Sequence, residues 1–257
     1  MPPGRPNGPA GIVVVSHGYA EHSGRYRELA HVIVNAGWAA LTYDVRGHGK
    51  SPGVRGYVAA FHEYTDDLRR VIEVARGLVA APAPLVLLGH SNGSLITLRA
   101  ACDGLDATAL IVSSPYLGLR MAVPGWKKAL AKVASRIAPK LAQPNNITAA
   151  QLTSDPAMQA AHDADPLNFA VATSRWFVES SAAQDYVAAH AATIALPSTW
   201  IVGGSDPLAD PAQSRRVAQA MQRADYHELA GFLHEVFNET GRAQAFDLVT
   251  RALAASA

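Results

Sequence analysis

Residues 85–98 read Leu-Val-Leu-Leu-Gly-His-Ser-Asn-Gly-Ser-Leu-Ile-Thr-Leu, an apolar run followed by a tight segment and a second apolar run. The first run predicts a buried strand, and the spacing after Ser94 predicts a helix. Between them, Ser91 stands two positions from Gly89 and two from Gly93. A serine on a sharp strand-to-helix turn has a strained backbone, and side chains two positions away would collide there. The pattern therefore predicts a turn that presents the Ser91 hydroxyl clear of a sheet.

Apolar runs of strand length recur along the chain, and the stretches between the first three have helical spacing. Strands are predicted at 11–16, 38–43, 85–88, 109–112, 199–202 and 226–229, and helices at 24–37 and 61–78. Strands that alternate with helices form a parallel sheet covered by helices and joined by right-handed crossovers. The sequence therefore predicts an α/β protein with a mostly parallel sheet.

The connection between the fourth and fifth predicted strands is abnormally long. About eighty residues separate residue 112 from residue 199, whereas usual connections have about two to six residues. We therefore predict a helical cap, or lid, inserted at 115–175. The α/β core would consist of residues 1–114 and 176–257.

A serine hydroxyl is a poor nucleophile at neutral pH, so Ser91 needs a base and an acid that orients the base. Asp206 directly follows the strand at 199–202, at the edge where a parallel sheet gathers ligand groups. Asp210 stands before Pro211 and a helical run, which is typical of a helix N-cap. We predict that Asp206 is the acid.

Two of the ten histidines follow this acid closely, in the chain order serine, acid, histidine. His227 lies inside the last predicted strand, where a side chain facing the sheet is expected. His234 lies in the loop beyond that strand, at the rim where the base is needed. We predict that His234 is the base.

The tetrahedral intermediate of acyl transfer needs two backbone N–H donors. One is the amide of Asn92, the residue after the nucleophile. The other comes from the loop after the first strand, at residues 16–19, where we predict the amide of Tyr19.

Longer motifs run through most of the chain. They are His17-Gly-Tyr-Ala-Glu-His-Ser-Gly-Arg-Tyr26, Tyr43-Asp-Val-Arg-Gly-His-Gly-Lys-Ser51, Gly89-His-Ser-Asn-Gly93, Gly203-Gly-Ser-Asp206 and His234-Glu-Val-Phe-Asn-Glu239, with Asp165-Pro-Leu167 and Ser174-Arg-Trp-Phe177 in the cap. Together they resemble the monoacylglycerol lipase and lysophospholipase branch of the α/β-hydrolases. The resemblance extends from about residue 11 to the end of the chain.

This resemblance implies an α/β-hydrolase fold and a serine hydrolase that cleaves single-chain lipid esters through an acyl-enzyme. It implies an acyl chain under the cap and a glycerol end near Glu21 and Arg25. These two residues stand four apart at a helix start, so they either contact substrate or pair with each other.

Three alternatives remain open. A short-chain carboxylesterase would keep the same site, as would a hydrolase of another ester or thioester, which the polar Asn92 favours. An alternative of another class is a non-catalytic hydrolase-fold protein that binds a small apolar ligand.

Three features depart from the family pattern. Asn92 stands where the family usually has Met, and Ala20 where it usually has Gly. The family also has two strands ahead of the oxyanion loop, whereas only about ten residues rich in Pro and Gly precede Gly11. We therefore expect a sheet of about six strands with an exposed edge at which a homodimer could pair.

The insertion contains a basic amphipathic stretch. Its apolar residues at helical spacing are Trp126, Leu130, Val133, Ile137 and Leu141, and its basic residues are Lys127, Lys128, Lys132, Arg136 and Lys140. In one interpretation, the apolar face packs over the pocket and the lysines are solvated. In the other, the helix rests transiently on an anionic membrane surface.

Composition excludes several function classes. The 257 residues carry a net charge near +1, which provides no global field for nucleic acid, so no nucleic-acid partner is expected. The single cysteine cannot form an intrachain disulfide, and residues 1–10 lack a signal-peptide pattern, so we expect a cytoplasmic protein.

No cofactor or metal is predicted. Gly49-Lys50-Ser51 is not a phosphate-binding loop, because position 44 is Asp where that motif requires Gly. No pair of histidines has helical metal-ligand spacing beside a suitable Glu.

Overall fold

The computed structural model describes residues 8–121 and 123–257. The expectation about a signal peptide, and the core assignment of residues 1–7, fall outside the described residues. The strands are β1 (Ile12–Ser16), β2 (Ala39–Tyr43), β3 (Leu85–His90), β4 (Ala109–Ser113), β5 (Ala142–Pro144), β6 (Val171–Thr173), β7 (Ser198–Gly203) and β8 (Ala224–Leu229). The α-helices are α1 (Arg27–Asn35), α2 (His62–Arg76), α3 (Asn92–Cys102), α4 (Gly125–Ile137), α5 (Ala149–Leu152), α6 (Pro156–Ala164), α7 (Ser174–His190), α8 (Pro211–Ala220) and α9 (Ala243–Ala254).

Six of these strands form one parallel sheet in the order β2-β1-β3-β4-β7-β8. Strands β1, β3 and β4 are fully buried because helices cover both faces of the sheet. Successive strand residues point to opposite faces. Val14 and Leu87 therefore pack with α2, α3, α7 and α8, whereas Val13 and Val86 pack with α1 and α9. The predicted α/β class and the shortened six-stranded sheet are confirmed.

The parallel register brings the predicted site to one edge of the sheet. Ser16 pairs with Gly89 in the neighbouring strand, so the loop after β1 and the turn after β3 emerge side by side. Gly203 pairs with Leu229, so the loops after β7 and β8 emerge together as well. The carboxyl ends of these four strands thus carry Ser91, Asp206, His234 and the predicted oxyanion loop at 16–19.

The long connection after β4 contains α4, the antiparallel ribbon β5–β6, and the short helices α5 and α6. It leads into α7, which begins at Ser174, so the boundary placed between residues 175 and 176 falls in the first turn of this helix. The ribbon was not predicted, because its strands have only three residues each.

Helix α4 packs against α7 through its smallest residues. Ser135 is buried, and its carbonyl oxygen accepts a 2.8 Å hydrogen bond from Arg175. The large apolar side chains point away instead, with exposed fractions of 66% for Trp126, 60% for Leu130 and 79% for Ile137. The interpretation that this face packs over the pocket is therefore wrong. None of the helices in the described ranges is long and apolar enough to cross a bilayer.

Candidate active site

Ser91 occupies a strained turn between β3 and α3. Its backbone angles are φ +50° and ψ −113°, in a region that residues with side chains rarely adopt. A Cβ atom added to Gly89 would lie 2.6 Å from the carbonyl carbon of Gly93, and one added to Gly93 would collide with the carbonyl oxygen of Ser16. The two glycines are thus needed because the strand, the helix and the loop after β1 approach closely here.

Asp206 and His234 form a hydrogen-bonded pair at the ends of β7 and β8. His234 Nδ1 lies 2.6 Å from Asp206 Oδ2, and the two side chains are 7% and 0% exposed. The other carboxylate oxygen accepts hydrogen bonds from the backbone N–H groups of Leu208 at 2.8 Å and Ala209 at 3.0 Å. With both oxygens satisfied, the Asp206 carboxylate is fixed in orientation and holds the imidazole by Nδ1, which leaves Nε2 for proton transfer.

The electrostatics of this pair favour an ionised acid. Burial alone would raise the pKa of Asp206, but the His234 charge and the hydrogen bonds outweigh burial and lower it. Burial would lower the pKa of His234, but the Asp206 carboxylate outweighs burial and raises it. The imidazole is therefore a stronger base than an ordinary histidine.

The raised pKa predicts the pH dependence of activity. A protonated His234 cannot accept the proton of Ser91, so kcat/KM should fall as the pH falls through the pKa of the imidazole. Because that pKa is raised, we expect the midpoint of the acid limb to lie above 6.5, the ordinary histidine value. Circular dichroism over the same pH range would show that the fold is retained. A midpoint below 6.5 would contradict this assignment.

The predicted oxyanion loop is fixed in place from several sides. The backbone N–H of Val45 donates to His17 Nε2 at 2.9 Å, and the N–H of Gly18 donates to Glu21 Oε1 at 2.5 Å. The hydroxyl of Tyr19 donates to the carbonyl of Val171 in the cap at 2.7 Å. The Tyr19 backbone N–H has no acceptor among the described residues, as an oxyanion donor requires.

Glu21 and Arg25 pair with each other, as one of the two predicted alternatives requires. Arg25 Nη1 donates to Glu21 at 3.0 Å, and the guanidinium also makes two bonds to Glu235, at 2.5 Å and 2.8 Å. All three side chains are less than a tenth exposed. Arg25 therefore links the oxyanion loop, through Glu21, to the loop of His234. Contact of Glu21 and Arg25 with substrate stays a prediction, since both also line the cavity described below.

Replacing this guanidinium should destabilise the protein strongly. In Arg25→Met, two carboxylates, Glu21 and Glu235, would remain buried without their cation, and we expect a loss of about 3–5 kcal/mol in the free energy of unfolding. Urea unfolding would measure it. Arg25→Lys retains a charge without the two-pronged geometry, so it should lose less. A midpoint unchanged in Arg25→Met would show that the pairs do not hold the two loops.

Two further contacts near the site were not predicted. Arg120, at the start of the cap, donates to the carbonyl oxygen of Asp206 at 2.9 Å. His22 Nε2 lies 2.7 Å from Asp165 Oδ2, which ties the oxyanion loop to the cap. Both contacts join residues that are far apart in the chain, so no local sequence pattern predicts them. In the sequence, the only feature that draws attention to Glu235 is that it follows His234, the predicted base.

A cavity of about 280 Å³ lies at this edge of the sheet. It brings together most of the predicted site residues. They are Tyr19, Glu21, Arg25, Ser91 and His234, with cap residues that include Asp163, Asp165, Asn168 and Phe169. Asn92 is 1% exposed, and its side-chain amide has no hydrogen-bond partner in the described part of the chain. Asp210 caps α8 by accepting from the N–H of Ala212, so it takes no part in the pair.

Comparison with known proteins gives matches along nearly the whole chain. The model of the family Hydrolase_4, described as serine aminopeptidase, S33, matches residues 7–241. The monoacylglycerol lipase of Mycolicibacterium smegmatis is 32% identical over 94% of this chain and 87% of its own. Phospholipase YtpA of Bacillus subtilis is 28% identical over 93% of each chain. The crystal structure of Paleococcus ferrophilus monoacylglycerol lipase superimposes with a TM-score of 0.89 at 28% identity, covering 98% of this chain and 97% of that one.

Proposed function

The chain belongs to the Hydrolase_4 family, described as serine aminopeptidase, S33, and from this membership we propose that it uses Ser91 to cleave single-chain lipid esters such as monoacylglycerols. Its relatives support a hydrolase that acts on lipid esters. One observation carries the proposal. His234, whose Nδ1 lies 2.6 Å from Asp206, lines the same cavity as Ser91 and the predicted oxyanion loop. The cavity is large enough for the polar end of a small ester.

In this proposal Ser91 Oγ attacks the ester carbonyl carbon while His234 Nε2 takes the hydroxyl proton. Asp206 stabilises the imidazolium that forms. The backbone N–H groups of Tyr19 and Asn92 hold the negative oxygen of the tetrahedral intermediate. Collapse releases the alcohol, which takes its proton from His234, and leaves Ser91 acylated. Water, deprotonated by His234, then attacks the acyl carbon. The bond to Ser91 Oγ breaks as His234 returns the proton to Oγ, and the fatty acid is released.

A chain-length series tests the substrate class. The rates on monoacylglycerols and on p-nitrophenyl esters should both rise from acetyl towards medium or long acyl chains. An optimum at acetyl to butyryl would instead identify a short-chain carboxylesterase. A preference for thioesters would favour the other hydrolase alternative. Binding of lipid esters without turnover would identify a non-catalytic protein.

We further propose that α4 rests on anionic membrane surfaces. The helix exposes Trp126, Leu130 and Ile137, and the basic residues between them are exposed as well. The chain has no acidic residue between Asp106 and Asp155. A helix with exposed apolar and basic residues suits the boundary between lipid headgroups and acyl chains. Such contact would bring the cap to the phase where an apolar substrate is concentrated.

Charge reversal tests this contact. In the combined variant Lys127→Glu, Lys128→Glu and Lys132→Glu, we expect binding to anionic vesicles to fall at least about tenfold, since each basic residue contributes about 1 kcal/mol at such a surface. Co-sedimentation would measure it. A matched control reverses three exposed arginines outside the cap, Arg27, Arg216 and Arg251, with the same change in net charge. Equal loss in both variants, or none in the first, would contradict a specific role of α4.

We also propose a cytoplasmic enzyme that forms homodimers through the sheet edge at β2. Among the strands of the described residues, this one has β1 as its single neighbour, and all five of its residues are only half-buried. An edge of this kind can pair with a second copy. Sedimentation velocity would show a dimer that Ala40→Pro converts to a monomer, because Ala39 donates its N–H to the carbonyl of Gly11 and the N–H of the next residue therefore faces the open edge. A native protein that sediments as a monomer would contradict the proposal.

A further inference from the structure

The cavity at Ser91 is negatively charged. Four carboxylates line it, those of Glu21, Asp163, Asp165 and Glu235, against the single guanidinium of Arg25, which leaves three net negative charges when histidines are counted as neutral. Arg25 is already bonded to two of the four carboxylates. It therefore offers little attraction to a further anion.

Two of the four carboxylates, Glu235 and Asp165, are held in their charged form. Burial would raise the pKa of Glu235, but Arg25 outweighs burial and lowers it. Burial would likewise raise the pKa of Asp165, but the hydrogen bond with His22 and that from the backbone of Leu167 outweigh burial and lower it. Both groups stay ionised at neutral pH, so they contribute to the net negative charge of the lining.

The ionised carboxylates of the lining are also hydrogen-bond acceptors. A ligand with hydroxyl donors can bond to them, whereas a phosphate has only acceptor oxygens to offer at neutral pH.

We propose that this lining selects esters whose alcohol part carries hydroxyl donors and no negative charge, and that it rejects esters with a phosphate beside the scissile bond. The preferred substrates are then monoacylglycerols, and lysophospholipids are poor ones. The inference rests on the proposed function and narrows it. An ester with a phosphate is rejected because the carboxylates of the lining repel its negative charge and receive no hydrogen-bond donor from it. The specificity therefore depends on which substrates the site repels.

Asp163 is the residue through which this selection can be changed. Its side chain is 71% exposed on α6, and its partner is His162 at 3.3 Å. It lies outside the buried network of Arg25, so substitution should not disturb the fold. Asp163→Asn removes one charge at constant size, and Asp163→Lys reverses it. Asp185→Asn, at an exposed position of α7 outside the cavity lining, is the matched control.

The experiment compares kcat/KM for monolauroylglycerol and for lauroyl lysophosphatidylglycerol, which share an acyl chain, below their critical micelle concentrations. We expect the native protein to prefer the neutral ester by at least about 30-fold. The ratio should shrink about 2- to 4-fold in Asp163→Asn and about 5- to 10-fold in Asp163→Lys, and less at high salt, because the charge is solvent-exposed and screened. The ratio of Asp185→Asn should equal that of the native protein.

Equal rates on the two esters in the native protein, or a ratio unchanged in Asp163→Lys, would overturn the inference while the proposed ester hydrolase stands. Absence of hydrolysis of either ester would overturn the proposed function and the inference together.

Discussion

Ser91→Ala is expected to lower kcat by roughly 10⁴- to 10⁶-fold, the range found when a catalytic serine is removed from such a site. In the proposed mechanism, the hydroxyl oxygen forms the acyl-enzyme, and no other group can replace it at that turn. Alanine keeps a side chain of nearly the same size at a residue that is 7% exposed. The fold should therefore be retained.

The measurement is the rate of monoacylglycerol hydrolysis, with thermal unfolding to verify the fold. Ser256→Ala, near the end of the chain, serves as the control, because its hydroxyl only bonds to the carbonyl of Ala252 within the last turn. Hydrolysis by Ser91→Ala at more than about a hundredth of the native rate would show that another nucleophile is used.

Asp206→Asn is expected to have the second-largest effect, a loss of roughly 10³- to 10⁴-fold in kcat. Two backbone N–H groups hold one oxygen of this carboxylate, so the amide oxygen would stay there and the NH₂ group would face His234. An NH₂ donor at Nδ1 forces the imidazole to carry its proton on Nε2. That nitrogen could then no longer accept the proton of Ser91.

Asp210→Asn is the matched control, because asparagine is as good an N-cap as aspartate and the side chain only caps α8. Its kcat should stay near the native value. In Asp206→Asn, the residual activity should also have its acid limb at lower pH, because the pKa of His234 loses the carboxylate that raises it. Full activity in Asp206→Asn combined with loss of activity in Asp210→Asn would show that the acid is Asp210 and not Asp206.

The two charged regions of the cap side have opposite signs. The outer helix α4 is basic and apolar, whereas the cavity at Ser91 is acidic. In the proposed account, the outside of the cap is attracted to an anionic lipid surface, and the inside admits the uncharged lipid. The two properties can be separated by experiment, since Lys128 and Asp163 belong to different helices.

The fold was predictable from sequence because its signals are local. Buried strands show up as short apolar runs, and the glycines around Ser91 mark a turn that few other residues allow. The order of Asp206 and His234 in the chain then sufficed to place them at one rim of a parallel sheet. The positions of site residues could be predicted where they depend only on the end of the strand that precedes them.

Contacts between distant segments were not predictable in the same way. Arg25 and Glu235 are separated by 210 positions, and no pattern in either segment indicates that the two side chains are in contact. The face of α4 illustrates a second limit. Periodicity identified its apolar residues, but it could not show that the helix packs through small residues such as Ser135 and leaves Trp126 exposed.

Labelling with a fluorophosphonate tests the central claim most directly. The reagent reacts only with a serine whose hydroxyl is activated by a base, and peptide mass spectrometry then locates the adduct. The account predicts one adduct per chain, on Ser91, abolished in Ser91→Ala and strongly slowed in Asp206→Asn. An adduct on a different serine, or an active ester hydrolase that takes up no label, would contradict it.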